Sequence, residues 1–449
     1  MDLPVHCPIS PWLTSPEDLQ PSLSGDRSAA VAIVGAGDTG LSAALALRRA
    51  GVDVVVLERE FAGFGASGRN AGHVTPTIGK DLPTLLMLFG RERTAKLVEF
   101  ADSSVGCVEG MIREHGLDCD YTPCGNIMAA VHPRHEARLR QAASAAAQVG
   151  ARVRFLDHAE MRRREVPPAF TAGVLEECGG TLDPGKYING LRSAALKAKV
   201  PLYERTPVLE IIEGPRPQLR TPGGTVTADA VVLATNAYTL EFGRLKSTLY
   251  PLHDTLFETA PLDASDRQTL GWPGGEGIYT AHESLESYRL TARGTIVGGA
   301  KGVRYPYGSQ LTGDSTAWTI GENIRAFRER FPTLGAVPVA HTWGGWIDMT
   351  LNFLPALGVT GRHQNIHYAV GFNGHGIAAA SALGGVVADV VRQRPNPHAA
   401  LFKPFAVPLP PEPLRWLILS GSIGVVNAID RRIDAQVRNE TRALPAPGT

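Results

Sequence analysis

Charge of either sign is in no excess: 44 lysines and arginines balance 44 aspartates and glutamates among 449 residues. Without a net field, neither nucleic acid nor an acidic membrane surface is an expected partner. Cysteine is scarce. Cys7, Cys107, Cys119, Cys124 and Cys178 include no C-x-x-C pair, which excludes a zinc ribbon and a disulfide scaffold and points to reduced thiols in the cytoplasm. His132 with His135, and His363 with His367, have metal-compatible spacings but no third ligand at a recognisable distance, so no metal is expected. Residues 1–28 lack a basic cluster followed by an apolar core, and read as a Pro- and Ser-rich surface tail instead of a secretory signal. Long apolar runs are missing too. Leu414–Ile429 is too short and interrupted to span a bilayer; it is expected to pack on the protein's own surface, with peripheral membrane contact as the alternative.

What is present is 43% hydrophobic residues in a chain long enough for two domains. Val31–Val34 is a continuous apolar run, as in a strand buried on both faces, and it feeds into Gly35, Gly37 and Gly40 in the spacing G-x-G-x-x-G. An Ala- and Leu-rich helix follows, stopped at Gly51, and a second strand, Val52–Leu57, ends on Glu58. In such a unit the first glycine permits a tight turn and the second lets backbone approach a pyrophosphate. The third allows close helix packing, and the acid bonds a ribose hydroxyl. The motif alone leaves NAD and FAD open.

The segment Phe61–Lys80 is dense in glycine and small residues, and reads as a loop wrapped on a cofactor, with Ser67, Gly68, Arg69, Asn70, Ala71 and Gly72 near phosphate or flavin. Leu82–His115 has the apolar spacing of two helices. The strand Thr225–Ala234 delivers Thr235 and Asn236 to its carboxyl end, where open α/β sheets bind ligands. Residues 250–340 alternate like antiparallel strands, interrupted by a helix over Thr316–Phe331. After them, His367–Ala380 repeats strand, glycine turn and helix, with Gly374, His375 and Gly376 at a second helix start.

The Gly35–Glu58 unit, GASGRNAG over Gly65–Gly72, VVLATNAY over Val231–Tyr238, YRLT over Tyr288–Thr291 and GFNGHG over Gly371–Gly376 together resemble the FAD-dependent amine and amino-acid oxidoreductases. That superfamily includes D-amino-acid oxidase, glycine oxidase and sarcosine oxidase. Within it the chain is most similar to the branch typified by γ-glutamylputrescine oxidoreductase. The resemblance implies an α/β fold in which a discontinuous, Rossmann-like FAD domain (29–81, 150–249 and 341–400) is interrupted by a β-rich substrate domain (82–149 and 250–340). A tail (1–28) precedes it and a C-terminal extension (401–449) follows.

By position, the resemblance implies that Gly35, Gly37, Gly40, Glu58 and Val208 hold the ADP half, with Thr235 and Asn236 by the pyrophosphate. Ser67–Gly72 would line the flavin, and Gly371, Asn373, Gly374, His375 and Gly376 would face its pyrimidine end, where reduction develops negative charge. Relatives with covalent flavin often have histidine where Arg69 stands, so non-covalent FAD is expected. Amino-acid oxidases of the glycine-oxidase type resemble one another in W-x-G-x-R-P, whose arginine clamps a carboxylate. The matching stretch here runs from Trp343 to Asp348 with Ile347 in that place. This favours an amine substrate, met by the face of Trp343 or Trp346 or by Asp348, with oxygen or another electron acceptor as co-substrate. Asp348 could instead cap a turn. Tyr288 and Arg289, on the strand that family topology puts over the flavin, are the remaining candidates for positioning substrate. Lys301 reads as a solvated lysine or as a charge that assists oxygen reduction. Alternatives of other classes are a nicotinamide-dependent dehydrogenase and a flavoprotein subunit passing electrons to a partner or quinone.

Overall fold

The computed structural model describes residues 4–443. Its first large sheet has a parallel centre. Arg27–Val34 lies between Val54–Leu57 and Gly224–Leu233; Leu202–Tyr203 adds to one side and Ile366–Val370 to the other, with antiparallel Ala356–Thr360 outermost. Ala32, Ile33, Val55 and Val56 are fully buried because helices and strands cover both faces, which is what a continuous apolar strand requires. Helices Asp38–Arg49 and Gly376–Val391 pack together against this sheet, although their sequences lie more than three hundred residues apart. The sheet thus draws on the start, middle and end of the chain, giving the discontinuous Rossmann-like domain.

The second sheet has nine strands. In spatial order they are Val5–His6, Val339–Met349, Tyr250–Thr259, Ile296–Gly299, Ser287–Leu290, Gly277–Thr280, Asn126–Ala130, Ala172–Glu176 and Val153–Leu156. Most neighbours are antiparallel, as the alternating text over 250–340 predicts. Helix Ala317–Arg330, capped by Thr316, covers one face with Phe327 against Phe257 and Phe331 against Tyr288.

Two expectations need correction. Residues 4–28 are no surface tail: Val5–His6 pairs in parallel with Val339–Met349, Leu13 is buried in the main core, and Trp12 packs edge-on against Trp343. The domain boundaries also move. Val153–Leu156 and Ala172–Glu176 were assigned to the FAD domain, yet they complete the second sheet through pairing with Asn126–Ala130, and Val339–Met349 belongs to that sheet as well. The apolar stretch from Leu414, expected to pack on the protein's own surface, does so as the first half of a helix reaching Ala443. Its inner face packs on the body, with Leu419, Asp430, Ile433 and Asp434 buried. Helix Leu82–His115 is broken once, at Gly90, where φ is +71°.

Candidate functional site

A cavity of about 670 Å³ runs between the two sheets. One end is the glycine-rich turn after Arg27–Val34. Gly35 has φ +101°, and a Cβ there would lie 2.6 Å from the Ala234 carbonyl; a Cβ on Gly40 would lie 2.0 Å from the Gly35 carbonyl. The turn therefore needs glycine at both places. Helix Asp38–Arg49 starts from Gly37 without a side-chain cap, and Ser67 Oγ accepts from the Asp38 amide at 3.0 Å, joining the loop to the helix start. The Glu58 carboxylate accepts from the Ala36 amide at 2.8 Å and lines the cavity together with Val208 and Thr235. Burial pushes its pKa up.

The middle is formed by the loop over residues 65–72. Asn70 shapes it: its Nδ2 donates to the Ser67 carbonyl at 2.8 Å and its Oδ1 accepts from the Gly72 amide at 2.9 Å. Arg69 is a staple. Its Nε donates to the Phe64 carbonyl and its Nη1 to the carbonyls of Pro8 and Gly344, at 2.8 to 2.9 Å, so the guanidinium is spent on backbone. Asn236 donates to the Trp346 carbonyl at 3.0 Å. Opposite, helix Gly376–Val391 begins at His375, again without a side-chain cap, and its first turn opens on the cavity. Two helix N-termini whose N-cap residues make no side-chain bond face one cavity, with an acid at the far end, and suit a dinucleotide whose phosphates carry negative charge and whose ring system gains it on reduction.

The expected catalytic residues are distributed differently. Tyr288 does not face the cavity: it is buried among Phe170 and Phe331, and its hydroxyl donates to Glu286 at 3.1 Å. Its strand alternates, so Ser287 reaches the cavity and Tyr288 turns to the opposite layer. Arg289 lies behind the loop and donates to the Ala71 carbonyl at 2.6 Å, outside the cavity lining. Trp343 lines the cavity as a brace, donating to the Arg69 carbonyl at 2.8 Å while Trp12 packs on it. Asp348 is the turn clamp: its carboxylate accepts from the Gly371 amide and, at 3.0 Å, from the Phe372 amide. Those bonds occupy the oxygens an ammonium group would need. Gly40, Gly68 and Gly371 are packing positions behind the lining, whereas the other glycines and polar residues expected at the cofactor face it.

Lys301 is neither solvated nor part of the cavity lining. It is buried, bonded to Glu286 and at 2.8 Å to Asp434, in a cluster completed by Arg330 and His282. His282, Glu286 and Asp434 could converge on a cation, but the Lys301 ammonium and Arg330 guanidinium already fill that place.

The sequence reading missed Asp254. On strand Tyr250–Thr259 the residues Tyr250, Leu252, Asp254 and Leu256 point into the cavity, and Asp254 stands opposite Gly345, which has no side chain to cover it. Burial pushes this carboxyl up to about 7, against one stabilising bond from the Thr255 amide at 2.7 Å. An acid in an otherwise apolar register was the available signal. The arginines lining the cavity are all engaged: Arg69 on carbonyls, Arg59 on Glu241 at 3.1 Å, and Arg138 on Asp81 and Glu283 at 2.8 and 2.9 Å.

Known proteins place this geometry. A family model described as FAD dependent oxidoreductase matches residues 30–390. The chain is 29% identical over 365 residues to gamma-glutamylputrescine oxidoreductase from Escherichia coli (strain K12), covering 81% of this chain and 83% of that protein. Among solved structures it resembles glycine oxidase from Geobacillus kaustophilus, with TM-score 0.71 and 20% identity over 85% of this chain and 99% of that one. L-proline dehydrogenase from P. horikoshii gives TM-score 0.70 and 19% identity, covering 86% and 98%.

Proposed function

The chain belongs to the family of FAD-dependent oxidoreductases, and from that premise we propose that it oxidises the C–N bond of an amine that carries no carboxylate beside the reacting nitrogen. The observation behind this reading is the cavity's polar complement: a carboxyl at Asp254, Ile347 where a guanidinium clamp would stand, and arginines already bound to carbonyls or acids. A carboxylate brought there unpaired would lose several kcal/mol of solvation, whereas an ammonium meets Asp254. The Gly35 turn, Glu58, the loop over residues 65–72 and the start of helix Gly376–Val391 would hold FAD, which would supply a hydride acceptor for the carbon next to nitrogen. Asp254 Oδ takes the proton from the incoming ammonium, so the amine reacts neutral. The apolar walls exclude water until the imine leaves for hydrolysis. Five free thiols suit the reducing cytoplasm, where we place the protein. Among the described residues no helix is long and apolar enough to cross a membrane.

The test is anaerobic stopped-flow reduction. Primary and secondary amines should bleach the flavin faster than glycine, sarcosine or D-alanine; equal or faster reduction by those amino acids overturns the reading. A separate expectation concerns the cofactor. FAD should leave the protein on acid precipitation, and Glu58→Gln should weaken its retention by about 1.5–3 kcal/mol, the range for hydrogen bonds to a charged group. Unchanged FAD affinity in titration removes Glu58 from the ribose site.

A further inference from the structure

The C-terminal helix Leu414–Ala443 lies wholly beyond residues 30–390, the part matched by the family, yet it supplies a wall of the cavity. Leu419, Ser422, Ile423, Val426 and Asn427 line it, at the spacing that puts residues on one helix face. Leu419 and Ile423 pack in one apolar cluster with Tyr250, Leu252, Met349 and Ile347. The position that holds an isoleucine in place of a clamp arginine is therefore part of an apolar patch shared with this helix. Asn427 is different: its side-chain amide has no hydrogen-bond partner among the described residues, while only its backbone carbonyl accepts, from Arg431.

The wall is fastened. Asp430 accepts from the amides of Glu283 and Ser284 at 3.1 and 2.8 Å, tying the helix to a loop that also lines the cavity. One turn on, Asp434 holds Lys301 and Arg330 at 2.8 and 2.6 Å.

Resting on the amine-oxidation reading, we propose that this helix forms a substrate subsite of the chain's own. It takes the aliphatic tail of an amine whose nitrogen sits at Asp254, with Ile423 and Val426 against the methylenes and Asn427 bonding a neutral polar end. The cavity face of the helix carries no acid, and Glu283 on the adjoining loop is already paired with Arg138 at 2.9 Å, so the helix offers a second ammonium no carboxylate.

The probes are n-butylamine, n-hexylamine, n-octylamine and hexamethylenediamine, mixed anaerobically with the FAD-loaded full chain by stopped flow, with affinity taken from the immediate perturbation of the oxidised flavin spectrum that precedes any reduction. Affinity should rise along the three monoamines, by up to about fourfold per added methylene that finds apolar wall. The diamine should bind more weakly than n-hexylamine. Val426→Trp, which fills the subsite, should erase the gain of n-octylamine and leave n-butylamine within about twofold; Val426→Ala should lower n-octylamine affinity by about tenfold, as for lost methylene contacts. FAD content and melting temperature confirm that each variant is folded. Equal affinities along the series, a diamine that binds as well as n-hexylamine, or a Val426→Trp effect shared by all three monoamines overturns the subsite. Because binding is read without turnover, a gradient seen when no amine reduces the flavin would sink the reaction and leave the subsite standing. Reduction without a gradient does the reverse.

Discussion

Replacing Asp254 by asparagine should lower kcat/KM for amines by about a hundredfold, at the lower end of what one acid–base group contributes, while FAD content stays as in the parent. The amide keeps the shape and the bond from the Thr255 backbone but can neither pair with an ammonium nor accept its proton. The pH profile gives the sharper readout. Burial pushes the Asp254 carboxyl from 3.8 to about 7, so in the free enzyme it is protonated below that value and ionised above it. The ionised form is the one that captures the cation. Hence kcat/KM for an amine should climb as pH rises through about 7, and the climb should vanish in Asp254→Asn. An inflection that survives the substitution assigns it to another group, and Glu176 is the next to examine, since it also lines the cavity and is pushed to about 7 by burial.

The glycine-turn end of this cavity is legible in the sequence because its signals are local. A buried strand, a glycine turn, an Ala-rich helix and a terminal acid are read within Ala30–Glu58, and each residue's place follows from its neighbours in sequence. The substrate half is not. Tyr288 and Arg289 were placed by topology, but the direction a strand residue faces depends on register, and one residue's shift exchanges the two sheet faces. The strands Val153–Leu156 and Ala172–Glu176 look no different from strands of the first sheet; only pairing with Asn126–Ala130 assigns them. The segment Val5–His6 is two residues long and partners a strand more than three hundred residues away. Lys301 is the plainest case. Lysine alone predicts exposure, and only the convergence of Glu286 and Asp434 from separate elements makes its burial tolerable.

That convergence should be costly to break. Asp434→Ala leaves Lys301 and Arg330 buried with Glu286 as the remaining acid in their shared contact, and removing one partner from such a cluster costs about 3–5 kcal/mol. The loss should be concentrated in the C-terminal helix, because Asp434 is the part of the cluster that this helix contributes. Hydrogen exchange should show backbone protection over Leu414–Ala443 falling well before that of the Rossmann-like sheet, and n-octylamine should lose its advantage over n-butylamine. Salt should change little, since the charges are screened by protein and not by solvent. The pH sign is fixed as well. Against the cost of burial, the Arg330 and Lys301 cations hold the Glu286 carboxyl well below the usual carboxylate range, and contact with His282 together with the same two cations does so for Asp434. Their stabilisation is complete above the unfolded values, near pH 4, and is lost only as pH falls further towards the depressed ones. The parent helix therefore stays docked through mild acid, while Asp434→Ala loosens it already at neutral pH. Protection that is unchanged at pH 7 in the variant would show that the apolar contacts of Leu419 and Ile433 hold the helix without the ion cluster.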